Sequence, residues 1–467
     1  MEETKTNSGN PLATESVMRL MVKFSVPSIL GMLVSSLYNI VDQLFIGHAV
    51  GIDGNSATNV AFPFTTACTA LALLFGIGGA SCFNLTMGRG DKKQAGYFVG
   101  NSFSLLAISG IILSAVTLIF LNPLLKVFGS PEGQVMQYAQ EYVKITALGF
   151  PFLIFTTGGG HLIRADGSPQ MAMTCNIIGA VVNTILDALF VMVFHWGMKG
   201  AAAATVIGQV VSAVVVFVYA MHYKTVHLGK EQIRIKFFTA KRIASIGMAS
   251  FFNQIAIAIV QIVLNNSLKH YGALSVYGDS EPMAVCGIVM KVAMILFGVV
   301  IGLAQGTQPI ESFNYGAKNY DRVRQAYKLA VTAGAGISVV SFVLFFIFPR
   351  QILSLFGDGT ATYYELGEKF FRIYLFFTWL NCLQPITATF FTSIGKPIKG
   401  VFLSLTRQII FFVPLLLILP KFFQIDGIIY SAPVADLMAA IVTIIMALVE
   451  FKNIKKLEQE NKYVSYT

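Results

Sequence analysis

The chain has 467 residues, of which 55% are hydrophobic and 12% charged, with a mean hydropathy of +0.69. Soluble domains carry roughly 25% charged residues, so half that share, combined with long apolar runs, excludes an ordinary water-soluble enzyme and points to an integral membrane protein. The formal net charge of +10 would suit nucleic acid, but the positions of the basic residues along the chain give them another role.

The N-terminal stretch MEETKTNSGNPLATES is polar. It lacks the basic segment, short apolar core and cleavage site of a secretory signal, so the first apolar run is expected to stay in the mature protein. About twelve apolar stretches of roughly 20 to 28 residues follow, each long enough to cross a hydrocarbon core as a helix. They fall near 18–47, 57–87, 96–121, 135–162, 168–195, 198–222, 243–270, 282–311, 322–348, 364–394, 398–420 and 427–450, separated by breakers such as Gly129-Ser130-Pro131 and Gly167-Ser168-Pro169. The short alternating segments of a membrane barrel are absent from the sequence. The expected fold class is an all-α integral membrane protein with twelve transmembrane helices in two six-helix pseudo-symmetric lobes.

The two lobes are read from an internal repeat. GGASCFNLTMGRG from Gly78 resembles GTQPIESFNYGAK from Gly306, VFGSP from Val127 resembles LFGDG from Leu355, and RADGSPQ from Arg164 resembles TSIGKPI from Thr392. Gly78/Gly306, Gly88/Gly316, Phe128/Phe356, Gly129/Gly357, Gly167/Gly395 and Pro169/Pro397 all share one constant separation along the chain. Six helices per copy give parallel repeats, the arrangement of many secondary transporters, with the substrate path between the halves. The expected organisation is an N-lobe over 1–222, a polar linker over 223–242, a C-lobe over 243–450 and a tail over 451–467. Prolines inside the spans (Pro27, Pro63, Pro151, Pro309, Pro385, Pro414) and the glycine run 158–160 suit close packing and hinges.

Basic residues concentrate in alternate loops: Arg89, Lys92, Lys93, Arg164, the segment Lys224–Arg242, Lys318, Arg322, Lys396 and Lys399, against Lys126, Lys199, Lys269, Arg350 and Lys421 on the other side. By the positive-inside rule this places both termini in the cytoplasm. The five cysteines lie inside apolar runs with no metal-ligand spacing and are expected to be packing residues. No phosphate-binding G-x-x-x-x-G-K-[ST] motif, nucleophile elbow or H-E-x-x-H motif is present, so no ATPase, hydrolase or zinc-protease chemistry is indicated. Any uphill transport must then draw on an ion gradient.

Charge at membrane depth is expensive and is read first as functional. The first half carries Asp42 in YNIVDQLFIG and Asp187 in NIIGAVVNTILDALF; the second carries Glu311 and Asp436. Asp187 has Leu415 at its repeat position, so the acids of the first half are not part of the duplicated scaffold. Asn183 lies one turn before Asp187 on the same helical face. A carboxylate beside an amide supplies oxygen ligands for a small cation, or partners for a proton-carrying acid. Lys291, Arg407 and Asp436 are further transport-related candidates, as neutralising, cavity-lining or gating groups. Glu311, near a span end, is expected to be solvated.

These segments together resemble the MATE family of multidrug and toxic compound extrusion transporters, near its MepA-like bacterial branch. The resemblance covers nearly the whole chain and is carried by YNIVDQLFIGHAVG, RADGSP, NIIGAVVNTILD and QPIESFNYGAKNYDRV. It implies two lobes around a cavity that opens alternately to each side, and export of cationic amphipathic compounds in exchange for H⁺ or Na⁺. It implies a first-lobe cation site at Asp42, Asn183, Asp187 and Thr205, the last from GAAAATVIG. It further implies no other cofactor, a monomer in the bacterial cytoplasmic membrane, no nucleic acid partner, and a transporter rather than an enzyme. A lipid-linked precursor flippase of the same superfamily is the alternative. Spans 7 and 10 lack the acids that some relatives carry there, and Gln43 stands where a small hydroxyl residue is frequent.

Overall fold

The computed structural model describes residues 10–129, 133–278, 281–355 and 360–466; the expected breaker residues Ser130 and Pro131, and the repeat residues Phe356 and Gly357, lie outside them. Among the described residues every regular element is helical, as a bilayer demands, because backbone groups there find no water and must bond within their own segment.

The N-terminal half contributes α1 (Val17–Ala49), α2 (Ile52–Gly88), α3 (Lys92–Ile119), α4 (Gly133–Ala165), α5 (Pro169–Asp187, continued as a π-helical turn over Ala188–Val193) and α6 (Gly197–Met221). The C-terminal half contributes α7 (Phe237–Ala273), α8 (Glu281–Gly316) and α9 (Tyr320–Ile347). The expected continuous tenth span is instead a broken helix, α10. It runs Ala361–Lys369, a π turn Phe370–Tyr374, a 3₁₀ turn Thr378–Leu380 and Leu383–Ser393. Next comes α11, which starts at Pro397–Leu405, passes a π turn at Thr406–Phe412 and runs on from Val413. A left-handed residue, Gln424 (φ 52°, ψ −129°), separates it from α12, which continues as helix to Tyr466. The stretch 451–466, expected as a tail, is thus an extension of α12, and the last residues of the expected linker, from Phe237, belong to α7. Ten helices are individually long and apolar enough to cross a membrane among the described residues; splitting the last at Gln424 and adding the broken α10 accounts for twelve spans.

Local signals set the ends. Ser16 caps α1 by accepting from the Arg19 amide, and Asp91 caps α3 by accepting from the Gln94 amide, each filling an orphan donor of the first turn. The repeat extends to backbone conformation. Gly90 and Lys318 both take positive φ (87° and 61°), as do Gly167 and Gly395 (82° and 74°), and each pair is matched by the same separation as the sequence repeat.

The halves meet through small residues near the side that holds the linker. Gly247 on α7 lies against the Leu74 backbone of α2, and a Cβ on Gly302 of α8 would come within 2.7 Å of the Ile29 Cα of α1. The symmetric pair Gly88 and Gly316 packs on the backbones of Phe313 and Leu85. Residues 76–88 of α2 and 302–314 of α8 are buried all round, and Gln308 Nε2 donates to Ser81 Oγ at 2.6 Å between them. Arg322 on α9 seals the same side by donating to the carbonyls of Leu12 and Glu15 at 3.0 and 2.6 Å. Away from the linker, α1 and α8 separate: a Cβ on Gly298 would still meet Ser36 at 3.6 Å, but one on Gly287 would meet nothing within 4 Å. The cleft between the lobes therefore opens on the side opposite the linker.

The linker is not free chain. Asp166, in the turn between α4 and α5, accepts from the Tyr219 hydroxyl (2.8 Å), the Lys224 amide (2.8 Å) and both the amide (3.1 Å) and hydroxyl (2.6 Å) of Thr225. Burial pushes its carboxyl upward and these donors pull it back. Asn101 of α3 donates to the carbonyls of Gln232 and Arg234 and accepts from the Lys236 amide. The linker is thereby fastened to the N-terminal half up to Lys236, the residue before α7.

Candidate functional site

Asp42, Asn183, Asp187 and Thr205 converge between α1, α5 and α6, and all four are buried. Glycines make the convergence feasible. Gly31 of α1 lies close to Met173 and Asn176 of α5, while Gly179 of α5 packs on Ser212 and on the Gly208 carbonyl of α6. With the helices this close, Asn183 Nδ2 donates to Thr205 Oγ1 across 3.3 Å. Asp42 from α1 faces Asp187 from α5 within hydrogen-bonding reach. The π turn that starts at Ala188, immediately after Asp187, widens the helix where the carboxylate projects; such single-turn insertions are frequent at functional sites.

Four oxygens in this cluster find no donor among the described residues: Asp42 Oδ1, Asn183 Oδ1 and both carboxylate oxygens of Asp187. Leaving such atoms unpaired in a low-dielectric interior is costly, and two neighbouring carboxylates repel when both are ionised. The chemistry of this oxygen set suits a proton or a small hard cation. Two residues absent from the sequence-based set also reach it. The side chains of Tyr38 and Tyr142 lie close to Thr205 and to the two acids. Tyr38 is one turn before Asp42 and could have been found by spacing; Tyr142 comes from α4, and no local pattern marks it.

The C-terminal half has no such cluster at the related position. The repeat correspondence places Phe411 and Leu415 where Asn183 and Asp187 stand. The inter-lobe contacts Gly247–Leu74 and Ile29–Gly302 are symmetric partners: Gly302 is the repeat counterpart of Leu74, so Gly247 is that of Ile29. Counting onward equally from Ile29 and Gly247 puts Val260 opposite Asp42. The acids of this half are handled differently. Arg407 Nε donates to Asp436 Oδ1 at 2.6 Å, and Asn381 Nδ2 donates to Asp436 Oδ2 at 3.1 Å. Both carboxylate oxygens are satisfied, and the guanidinium lies 5.8 Å from the Phe297 ring centroid. Of the three further candidates, the structure brings Arg407 and Asp436 together as a buried pair and leaves Lys291 exposed on α8, without an ion pair among the described residues. Glu311, expected to be solvated, is buried inside the C-terminal half beside Ser393. It sits on the stretch of α8 that packing encloses on every side.

A membrane-spanning bundle of two related six-helix halves, meeting at one end and parted at the other, defines the class: a two-lobed transporter of the MATE/MOP type. The MatE family model matches residues 27–189 and 249–418, once in each half, and the chain belongs to that family. The multidrug export protein MepA of Staphylococcus haemolyticus is 23% identical over 426 residues, covering 91% of this chain and 92% of that protein. The MATE multidrug transporter DinF-BH superposes with a TM-score of 0.87 at 32% identity, covering 94% of this chain and 97% of that one. A multidrug resistance MATE family transporter of the MOP superfamily, solved in an outward-facing conformation, gives a TM-score of 0.89 at 23% identity over 97% of this chain and 99% of its own.

Proposed function

We propose that the protein is a secondary multidrug efflux antiporter, exporting amphipathic compounds that carry a cationic group in exchange for H⁺ or Na⁺. The observation that carries this reading is the set of four donor-less oxygens on Asp42, Asn183 and Asp187, enclosed between three helices of one lobe. The names of the relatives, multidrug export and multidrug transport, support the cargo. The proposed orientation puts the linker and both ends of the chain in the cytoplasm of a bacterium and opens the cleft to the outside.

The coupling follows from where the acids are anchored. A proton or Na⁺ entering between Asp42 and Asp187 cancels their repulsion and draws α1 toward α5, with Thr205 and Asn183 Oδ1 as further oxygen ligands for a metal cation. Since α1 also forms the cleft wall opposite α8, its movement changes the surface offered to cargo. Drug and cation then oppose each other through one lobe. The Arg407–Asp436 pair satisfies itself and takes no part in coupling.

The test is efflux of a fluorescent cationic dye from cells expressing Asp42→Asn and Asp187→Asn separately, at matched expression. Each variant is expected to lose export. Undiminished export in both removes the acid pair from the mechanism.

A further inference from the structure

The two acids lie inside the N-lobe, not on the wall of the cleft. Which charges does the cleft itself present? The inter-lobe contacts fix the answer. Gly247 faces α2 and Gly298 faces Ser36 of α1. Steps of seven residues stay on one side of a helix, so the same faces carry Gln254 and Gln261 on α7, Gln43 on α1 and Lys291 on α8. On α2 the corresponding line from Leu74 is apolar through Ala67 and Val60 and reaches an acid only at Asp53, in the first turn of the helix. Among these described positions Lys291 is the ionisable one that lies away from a helix end.

Its depth gives this weight. Lys291 is ten residues inside α8, about 15 Å from the helix start. The contacts Gly306–Ser25 and Gly302–Ile29 run antiparallel and place Lys291 opposite position 40 of α1, level with Asp42. An ammonium at that depth is tolerated where it meets water or an anion. Lys291 is exposed on the side where the lobes part, and no carboxylate among the described residues pairs with it. Amide side chains at Gln254 and Gln261 on the same wall, and at Gln43 on the facing one, add hydrogen-bond donors and acceptors without charge.

We propose that Lys291 is a subsite for an acidic group on the exported compound, so that the preferred cargo is zwitterionic: an amphipath bearing a carboxylate as well as its cationic group. The proposal rests on the export function above and narrows its substrate class. A compound with a positive charge alone meets a like charge in mid-cleft; a carboxylate forms a charge-assisted hydrogen bond there. One lysine is little for the pyrophosphate of a lipid-linked precursor, so the zwitterion is favoured over that cargo.

The experiment compares a rhodamine ethyl ester with its free carboxylic acid, which differ by one ethyl group and the negative charge. Binding of each to the purified full-length protein is followed by fluorescence anisotropy, for the unmodified protein, Lys291→Gln and Lys291→Arg. The free acid is expected to bind about tenfold tighter than the ester. Lys291→Gln should abolish that preference and Lys291→Arg should keep it. Thermal unfolding of each variant confirms that it is folded. A preference for the ester in the unmodified protein, or a ratio unchanged in Lys291→Gln, overturns the proposal and leaves the export function standing. No binding of either dye, together with no export, overturns both. Displacement of the free acid by phosphatidylglycerol, with no displacement by soluble carboxylates, assigns Lys291 to a lipid headgroup and overturns the cargo assignment.

Discussion

Arg407 on α11 donates through Nε to Asp436 of α12 at 2.6 Å, while the two acids of the other lobe, Asp42 and Asp187, face each other with no basic partner among the described residues. One lobe carries its counter-charge within the chain; the other leaves carboxylate oxygens free. Removing one member of a buried pair strands the other, at a cost of about 3–5 kcal/mol. Arg407→Met is therefore expected to lower the thermal unfolding temperature clearly, and Arg407→Met with Asp436→Leu to recover most of the loss. A double variant no more stable than the single one would contradict the pairing as the source of the effect.

Asp187 is fully buried and neither of its carboxylate oxygens has a donor. Such a group costs stability that the fold supplies elsewhere, a common trade at functional sites. Asp187→Asn should raise stability by roughly 1–2 kcal/mol while abolishing export. Loss of stability in this variant would mean that the carboxylate is a structural partner.

Gly302 stands where a Cβ would come within 2.7 Å of the Ile29 Cα. A large side chain there wedges α1 from α8 on the linker side. Gly302→Leu is expected to expose that side, read as faster labelling of a cysteine placed at Ser81 by a thiol reagent supplied from the linker side. Unchanged labelling would show that the halves are not held by this contact.

Asp166 accepts four hydrogen bonds and ties the linker to the N-terminal half. Asp166→Ala leaves those donors unpaired, a cost of about 2 kcal/mol. Faster proteolytic cutting within 224–236 is the expected result, measured by limited digestion of the purified protein.

Much of this architecture was legible in the sequence because the bilayer leaves few options: apolar length fixes the spans, and the constant separation of matched glycines and prolines exposes the duplication. Asp42 and Asp187 stood out because a carboxylate in an apolar run is rare and expensive. Asn183 followed from one helical turn of spacing; Thr205 came only through family resemblance, since nothing local distinguishes it from other buried hydroxyls. The break in α10 was invisible, because Phe370–Leu380 is apolar apart from Arg372 and holds no proline or glycine to mark it. So too was the partnership of Arg407 with Asp436, whose members sit on different helices, and the burial of Glu311, which depends on how α8 is enclosed by its neighbours. The linker stood out in the sequence only by its polar composition; its fastening depends on Asp166 and Asn101, each far from it in sequence.

The most direct test of the central claim uses purified protein in sealed vesicles, with a proton gradient or a Na⁺ gradient imposed one at a time. Dye transport should be driven by one of the two gradients in the unmodified protein and by neither in Asp42→Asn or Asp187→Asn. Transport that proceeds equally under no gradient, or that survives in both variants, would contradict cation coupling at the acid pair.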